Sequence, residues 1–337
     1  MLSVIVAVHN QIGHNTLFLE GIRRYTTDPY EVVVVDNHST DGSAEFFESN
    51  GCRVIRNPFN LCYPESMNLG IRIAKGDHLC FINNDLYVGP NWNGLLIQAL
   101  ERFGLDVITP LGLEMMPTRE LTDYMHERWT TIGRGRLSSG KTDVQLKKKI
   151  RAMYGDWERF CGEVYRYFSE IRFDGLNGSC VMAKRTVFEK IGLLDERVQA
   201  ADSDLYYTLR KREDEIGDVR RSMIFGGCYV HHFMRATATG KREPFVCTHP
   251  RLSIDEKWSR AEQARLWYKP EEFHHRISEP SSARILQRRL GKLFKKLVRE
   301  IDRAFAWRWL FVSSERKLEM YRKKFEITKN QVEPVVS

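Results

Sequence analysis

The chain lacks the features that define several common classes of protein. Within its 337 residues, no apolar run approaches the roughly 20 residues that a membrane-spanning helix needs. Its seven cysteines include no C-x-x-C pair, which argues against a disulfide framework or a zinc knuckle and favours reduced thiols. There is no internal repeat and no low-complexity tract. No signal-peptide pattern precedes Leu2, so we expect a cytoplasmic protein, which could still attach at the inner face of a membrane.

Neither sign of charge is in large excess. The 52 basic and 44 acidic residues give a net charge of +8. This favours anionic partners such as nucleotide diphosphates, acidic glycans, nucleic acid or an anionic membrane surface. The basic residues are spread among acidic ones rather than clustered, which argues against a nucleic-acid partner.

The first 112 residues alternate between strand and helix patterns. Short apolar, β-branched runs predict strands at residues 4–8, 31–35, 52–56, 77–82 and 105–109. Helical patterns lie between them at residues 16–25, 43–49, 64–74 and 92–103. This alternation predicts an α/β fold with a mostly parallel central sheet, helices on its faces, and a ligand crevice at the carboxyl ends of the strands.

Polar clusters follow four of these strands, each at the point where the strand ends. They are His9-Asn10, Asp36-Asn37-His38-Ser39, residues 57–60, and Asn83-Asn84-Asp85. Because the carboxyl ends of parallel strands meet at one edge of a sheet, these side chains should gather there. The sequence therefore predicts a nucleotide or sugar site at that edge.

The remainder of the chain divides into three segments. Residues 113–172 are rich in charged and aromatic residues and predict a largely helical insertion. Residues 173–250 return to the earlier pattern, with strands near 177–182 and 223–230 and a helix near 202–212. Residues 251–337 form a predicted C-terminal helical region, in which residues 284–325 are basic and helical by periodicity. This C-terminal helical appendage, with Trp307, Trp309 and Phe311, could lie on a membrane surface or pack against the rest of the chain or a second subunit.

Several of these motifs, taken in order, resemble the family 2 inverting glycosyltransferases of the GT-A fold, particularly rhamnosyltransferase-like members. The resemblance covers residues 2–240. It is carried by residues 2–10 (LSVIVAVHN), 33–43 (VVVDNHSTDGS), 57–85 and 178–210. It implies that residues 1–112 form the nucleotide-sugar-binding half of the domain and residues 173–250 the acceptor-side half.

The resemblance also implies a divalent cation, Mn²⁺ or Mg²⁺. Asn83-Asn84-Asp85 stands where the family carries its Asp-x-Asp metal motif, and Asn83 replaces the first carboxylate, which leaves Asp85 as the anionic ligand. A histidine of the His231-His232 pair is expected to complete the site, and His232 fits the register better. The alternatives are an Asn-rich turn and a structural histidine.

On the acceptor side, Asp202 falls at the position expected for the catalytic base. The family's Glu-Asp pair reads Ala201-Asp202 here. Asp204 is expected to orient this base, and Asp195 to shape the acceptor-side turn. Asp202 could instead cap the following helix, with Asp204 in its first turn.

The residues expected on the donor side are Asn10, Asp36, Asn37, Asn60, Asn84 and Gly178. A carboxylate at the end of a strand, as at Asp36, can accept hydrogen bonds from a pyrimidine or a ribose, or can serve the turn that follows. Asn10 could hold the nucleotide or shape its own loop. Gly178 is expected to let the backbone approach the donor sugar.

The implied reaction is inverting transfer of a hexosyl or deoxyhexosyl unit from a nucleoside diphosphate sugar to a hydroxyl of a glycan, lipid-linked or protein acceptor. The Asn-Asn-Asp triplet favours a deoxythymidine-linked donor without excluding a uridine-linked one. A sugar nucleotidyltransferase is disfavoured, because no Gly-rich, lysine-containing loop follows the first strand. A non-catalytic glycan-binding protein remains the other alternative.

Overall fold

In a computed structural model, nine strands form one sheet that organises the described part of the chain, which is residues 1–134, 141–234, 244–269, 309 and 312–332. In chain order the strands are β1 (Leu2–Val8), β2 (Tyr30–Asn37), β3 (Arg53–Asn57), β4 (His78–Ile82), β5 (Leu86–Val88), β6 (Val107–Leu111), β7 (Arg172–Asp174), β8 (Cys180–Lys184) and β9 (Met223–His232). Their order in the sheet is β3-β2-β1-β4-β8-β6-β9-β5, with β7 beside β9.

Helices pack on both faces of this sheet. They are α1 (Ile12–Tyr25), α2 (Ser43–Ser49), α3 (Tyr63–Ile73), α4 (Trp92–Arg102), α5 (Arg119–Arg134), α6 (Asp143–Tyr154), α7 (Trp157–Phe168), α8 (Arg185–Ile191), α9 (Ala201–Glu215), α10 (Ile254–Lys257), α11 (Arg260–Leu266) and α12 (Ser314–Gln331). The α/β fold class is confirmed.

The sheet is parallel in its first half and mixed in its second. Neighbouring strands from β3 to β4 run parallel, as the alternation predicted. Strand β8 is antiparallel to both β4 and β6, and β5 and β7 are antiparallel to β9. The helical insertion separates β6 from β7 and β8, so these later strands do not join through short right-handed crossovers that would force parallel pairing.

The central strands are apolar because both of their faces are buried. Val4 and Val6 of β1 belong to the core on one side of the sheet, whereas Ile5 belongs to the core on the other side. Helix α3 lies very close to that second face, since a Cβ added at Gly70 would come within 2.3 Å of Ile5 Cγ2. A glycine is therefore needed where the helix crosses β1.

The predicted insertion contains α5, α6 and α7, and α12 packs on these helices. Tyr321 of α12 is fully buried and donates a hydrogen bond to the carbonyl of Met153 (2.9 Å), while Phe325 packs on Phe168 with ring centroids 5.1 Å apart. Trp309 is 3% exposed. The described part of the C-terminal region thus packs on its own chain.

The rest of the predicted C-terminal helical region lies either outside the described residues or against α9. Trp307, Phe311 and most of the helical pattern at residues 284–325 lie outside the described residues. Residues 254–266, by contrast, contact α9 in the acceptor-side half. Within the described ranges, no helix has both the length and the apolar character that a membrane span requires.

Candidate active site

The polar clusters predicted from the strand ends do gather at one rim of the sheet. Strands β1, β2 and β3 are in parallel register, so Val8 lies beside Asp36 and Asn37 lies beside Asn57. At the end of β4, the amide of Asn83 donates to the carbonyl of Ser179 (3.0 Å). The rim therefore continues from the first four strands into the loop 177–179.

Asp36 offers an acceptor that no described residue uses. Its side chain is 3% exposed, and Oδ2 accepts a hydrogen bond from the amide of Ser39 (3.1 Å). Among the described residues, the buried Oδ1 has no partner. Leaving a buried carboxylate oxygen unpaired is costly. One oxygen of Asp36 therefore serves the turn, and contact of the other oxygen with a nucleotide stays a prediction.

Asn10 shapes the loops around this acceptor. Its φ is 59°, its amide donates to Ser39 Oγ (2.8 Å), and its Oδ1 accepts from the amide of Thr40 (2.8 Å). Asp41 has a similar structural role, because its carboxylate accepts from the first amides of both α1 and α2, at Ile12 (2.9 Å) and Ser43 (3.1 Å).

The other asparagines predicted on the donor side lie in buried networks. Asn37 accepts from Asn57 Nδ2 (2.7 Å) and donates to Ser66 Oγ (2.9 Å). Asn84 donates to Asn15 Oδ1 (2.7 Å). These hydrogen bonds join neighbouring elements of the fold. Contact of Asn37 and Asn84 with the donor sugar nucleotide stays a prediction.

Asn60 is 2% exposed at the end of the loop that follows β3. Its carbonyl accepts from the amide of Val246 (2.8 Å), in a segment that folds back across the rim. Its predicted contact with the donor also stays a prediction.

Asp85, His232 and Glu114 form a chain of polar contacts next to this rim. Asp85 Oδ1 lies 3.1 Å from His232 Nε2, and His232 Nδ1 lies 2.5 Å from Glu114 Oε1. Burial disfavours the charged imidazole, but the two carboxylates outweigh it and raise the pKa of His232 to about 10. Burial likewise opposes charge on Asp85, yet its bond to His232 holds the pKa of that carboxyl below its usual value.

The donor atoms in this chain are of types that Mn²⁺ accepts, namely a carboxylate oxygen and an imidazole nitrogen. Asp85 Oδ1 and His232 Nε2 form an ion pair (3.1 Å), and a cation bound between them would have to replace the proton of the imidazole. Among the described residues, Glu114 Oε2 is also buried without a partner. Glu114 was missed by the sequence analysis, although it follows β6 as the predicted polar clusters follow their strands.

The structure separates the two adjacent histidines. Consecutive residues of β9 point to opposite faces, so His232 faces Asp85 while His231 is fully buried on the other face. His231 Nδ1 lies 2.7 Å from the hydroxyl of Tyr154, and its ring packs on Trp129. His231 is a core residue.

A third histidine lies near Asp85 and was not predicted. His14 of α1 is 4% exposed, and burial lowers its pKa to about 4 although Asp85 acts in the opposite direction. Its Nδ1 has no partner within the described residues. A neutral imidazole is a suitable ligand or hydrogen-bond donor beside a cation.

A separate set of potential ligands consists of Glu65, Glu196 and His249, whose donor atoms lie within 4.8 Å of one another. Glu65 accepts from the amide of Thr248 (2.8 Å), and Glu196 accepts from Asn68 Nδ2 (2.9 Å). His249 Nε2 lies 2.9 Å from Glu196 Oε2. Protein donors thus meet both carboxylates, and the three donor atoms are also close enough together to hold a cation.

Asp202 lies against the loop 177–179, which also contacts the end of β4. It is exposed in the first turn of α9, and a Cβ added at Gly178 would come within 2.6 Å of both Asp202 Cβ and Oδ2. Asp202 also acts with burial to raise the pKa of the Tyr63 phenol, which places it near the start of α3. Its Oδ1 accepts from the amide of Ser203 (2.8 Å), and no other described group donates to it. The predicted base position therefore holds an accessible carboxylate facing the same loop.

The two acids predicted beside Asp202 are both held by other side chains. Asp204 is 4% exposed and accepts from Trp258 Nε1 (2.7 Å) and Lys257 Nζ (2.8 Å). Asp195 accepts from Arg197 Nε (2.9 Å) and from the same Lys257 Nζ (2.9 Å). These partners already bind the carboxylate oxygens of both residues. Contact of either residue with the acceptor substrate stays a prediction.

The comparisons with known proteins identify the family of this chain. A sequence model described as glycosyl transferase family 2 matches residues 3–192, more than half of the chain. The chain belongs to glycosyl transferase family 2. The resemblance drawn from the motifs is confirmed at the level of the family, and rhamnosyl specificity stays a prediction.

Several relatives of this family 2 chain match it in part. An uncharacterized glycosyltransferase of Haemophilus influenzae is 34% identical over 103 residues, which cover 30% of this chain and 35% of that protein. Glycosyltransferase GlyG of Streptococcus pneumoniae is 27% identical over 113 residues, covering 32% and 38%. The O-antigen biosynthesis protein RfbC of Myxococcus xanthus is 25% identical over 225 residues, covering 62% and 16%. The chain thus spans well under half the length of each relative.

Two solved structures give distant likenesses. The mannosyltransferase PcManGT from Pyrobaculum calidifontis, in complex with GDP-Man and Mn²⁺, has a TM-score of 0.47 at 13% identity and covers 94% of this chain and 86% of its own. S. aureus TarS 1-349, in complex with UDP-GlcNAc, has a TM-score of 0.44 at 16% identity and covers 82% and 73%.

Proposed function

We propose that this chain is a metal-dependent, inverting glycosyltransferase that uses a nucleoside diphosphate sugar. The observation that supports this most is that the loop 177–179 contacts Asp202 through Gly178 and the end of β4, just before Asp85, through Ser179. Asp85 forms a chain of polar contacts with His232 and Glu114. Inversion needs a base on the side of the anomeric carbon opposite the leaving diphosphate, and we assign that role to Asp202.

In this proposal Asp202 removes the proton from the acceptor hydroxyl. An exposed carboxylate with no competing side-chain donor among the described residues is free to accept that proton. General-base assistance of this kind is typically worth about 10²–10⁴ in rate. The acceptor would be a glycan, lipid-linked or protein hydroxyl, reached from the exposed side of α9.

Asp85 and His232 would hold the divalent cation. Glu114 would orient His232 by contacting its other ring nitrogen, Nδ1. When bound, a divalent cation neutralises the charge that develops on the leaving diphosphate. Asp85 also fixes His232, whose other ring nitrogen faces Glu114, so the imidazole has a single orientation.

At the other end of the rim, Asp36 would bind the nucleoside. Its unpartnered Oδ1 suits the N–H of a pyrimidine or the hydroxyl of a ribose. A deoxythymidine- or uridine-linked hexose or deoxyhexose is the proposed donor. Peripheral membrane contact and self-association through the C-terminal residues remain predictions.

The test is a transfer assay over a panel of nucleotide sugars with Mn²⁺, using the variant Asp202→Asn. We expect turnover to fall at least about tenfold while donor affinity, measured by calorimetry, is unchanged. Asp143→Asn is the matched control, because Asp143 also lies in the first turn of a helix and the variant loses the same dipole interaction. Wild-type turnover in Asp202→Asn would remove this residue as the base.

A further inference from the structure

Residues 253–268 lie beyond the part of the chain that the family model matches, yet they pack on the helix that carries Asp202. Trp258 and Leu266 are 6% and 0% exposed, and they form a cluster with Tyr206 and Tyr207 of α9. Two capping boxes, at the starts of α10 and α11, fix the local backbone of this segment.

The start of α9 has no cap of its own. Its N-cap residue is Ala200, which has no side chain able to accept from the first amides, and no cap hydrogen bond forms there. The first turn carries Asp202 and Asp204. Its position therefore depends on contacts with other elements, which include the core packing of Leu205 and polar contacts to Asp204.

The polar contacts come from Lys257 and Trp258. Trp258 Nε1 donates to one oxygen of Asp204 (2.7 Å), and Lys257 Nζ donates to the other (2.8 Å). The same ammonium donates to Asp195 (2.9 Å), in the turn that precedes the helix. A buried carboxylate is stable when it is paired and hydrogen-bonded, so Asp204 and its partners hold one geometry.

We propose that Lys257 and Trp258 are positioning residues that set the place of Asp202 by fixing the first turn of α9 through Asp204. Asp202 precedes Asp204 by two residues in that turn, and its own carboxylate is free of described side-chain partners. Its location relative to Gly178 therefore depends on how the turn is held. This role in catalysis rests on the proposed function of Asp202 as the base. The holding of the first turn of α9 by Lys257 and Trp258 does not depend on that function.

The experiment compares Lys257→Met with Lys211→Met. Lys211 lies on α9 at the same interface, where it pairs with Glu262 (3.2 Å) and its ammonium is 5.6 Å from the Trp258 ring, but it does not contact the first turn. We expect Lys257→Met to lower kcat about tenfold or more, with the donor KM changed less than about twofold, because misplacing a catalytic group by about 1 Å costs up to about 10²-fold. Lys211→Met should leave kcat unchanged, and Lys257→Arg should restore part of the loss.

Backbone hydrogen exchange of residues 204–207, whose amides are the first in α9 with helical acceptors, provides a readout that needs no activity. Exchange should be faster in Lys257→Met and in Trp258→Phe than in the wild type, and unchanged in Lys211→Met. Unchanged exchange in Lys257→Met would overturn the proposal, and so would equal losses of kcat in the two Lys→Met variants. If the wild type transferred no sugar from any donor, the proposed function would fail, and the exchange data would still decide whether the turn is held by Lys257.

Discussion

Replacing Gly178 with alanine should damage catalysis by moving Asp202. The φ angle of Gly178 is outside the left-handed region, so alanine is compatible with the backbone there. The new Cβ would lie 2.6 Å from Asp202 Cβ and 2.6 Å from its Oδ2. Ordinary contacts between carbon atoms are about 3.5–4.0 Å, so either the loop or the carboxylate must move by about 1 Å. We expect kcat to fall about 10²-fold, the typical effect of such a misplacement.

Steady-state kinetics with a saturating donor would measure this loss, and Gly162→Ala is the matched control. Gly162 lies within α7, and a Cβ added there meets nothing within 4 Å. That variant should keep full activity and gain about 0.5–1 kcal/mol of stability. In an Asp202→Asn background, Gly178→Ala should lower kcat little further, because both changes act on the same carboxylate.

Two results would refute this reasoning. Wild-type kcat in Gly178→Ala would mean that Asp202 tolerates displacement and does not act at a fixed place. A raised donor KM with unchanged kcat would instead support the sequence-based expectation that the backbone at Gly178 approaches the donor sugar.

Two further predictions concern the cation and the acid stability of the fold. Asp85→Ala should abolish the stimulation of donor binding by Mn²⁺ in calorimetric titrations, and excess EDTA should depress wild-type activity; full activity after chelation would dismiss the cation altogether. Hydrogen bonds from Arg197 and then from Lys257 hold the pKa of Asp195 well below its usual value. Its contribution to stability is therefore present above the unfolded-state pKa of about 3.9 and is lost as the pH falls towards the folded-state pKa. Urea unfolding should show Asp195→Asn less stable than the wild type at neutral pH, with a difference that narrows in acid; a constant difference would contradict the ion-pair explanation.

Much of the nucleotide-side architecture follows from local sequence patterns. The apolar runs at β1 and β2 can be buried only on both faces of a sheet, and the helical segments between strands then require parallel pairing. The polar residues after those strands meet at one rim as a geometric consequence. For this reason Asp36 and Asp85 could be placed from the sequence.

The later strands and two short elements could not be placed in this way. Strand β5 has three residues, and α8 has seven and begins directly after β8, so each pattern is too short to be told apart from its surroundings. The antiparallel placement of β8 between β4 and β6 depends on how the insertion folds, because no short crossover constrains it.

The sequence by itself determined the candidate residues at the strand ends and at the start of α9, but it did not point to Glu114 or His14. Only the tertiary structure decided which of these side chains are free of other partners and which are buried or already paired. In the structure, His232 pairs with Asp85, whereas His231 is buried. Asp204 accepts a hydrogen bond from Lys257, which lies more than fifty residues away in the sequence. The physical reason is that hydrogen bonding and burial depend on neighbours distant in the chain, and local periodicity carries no information about those neighbours.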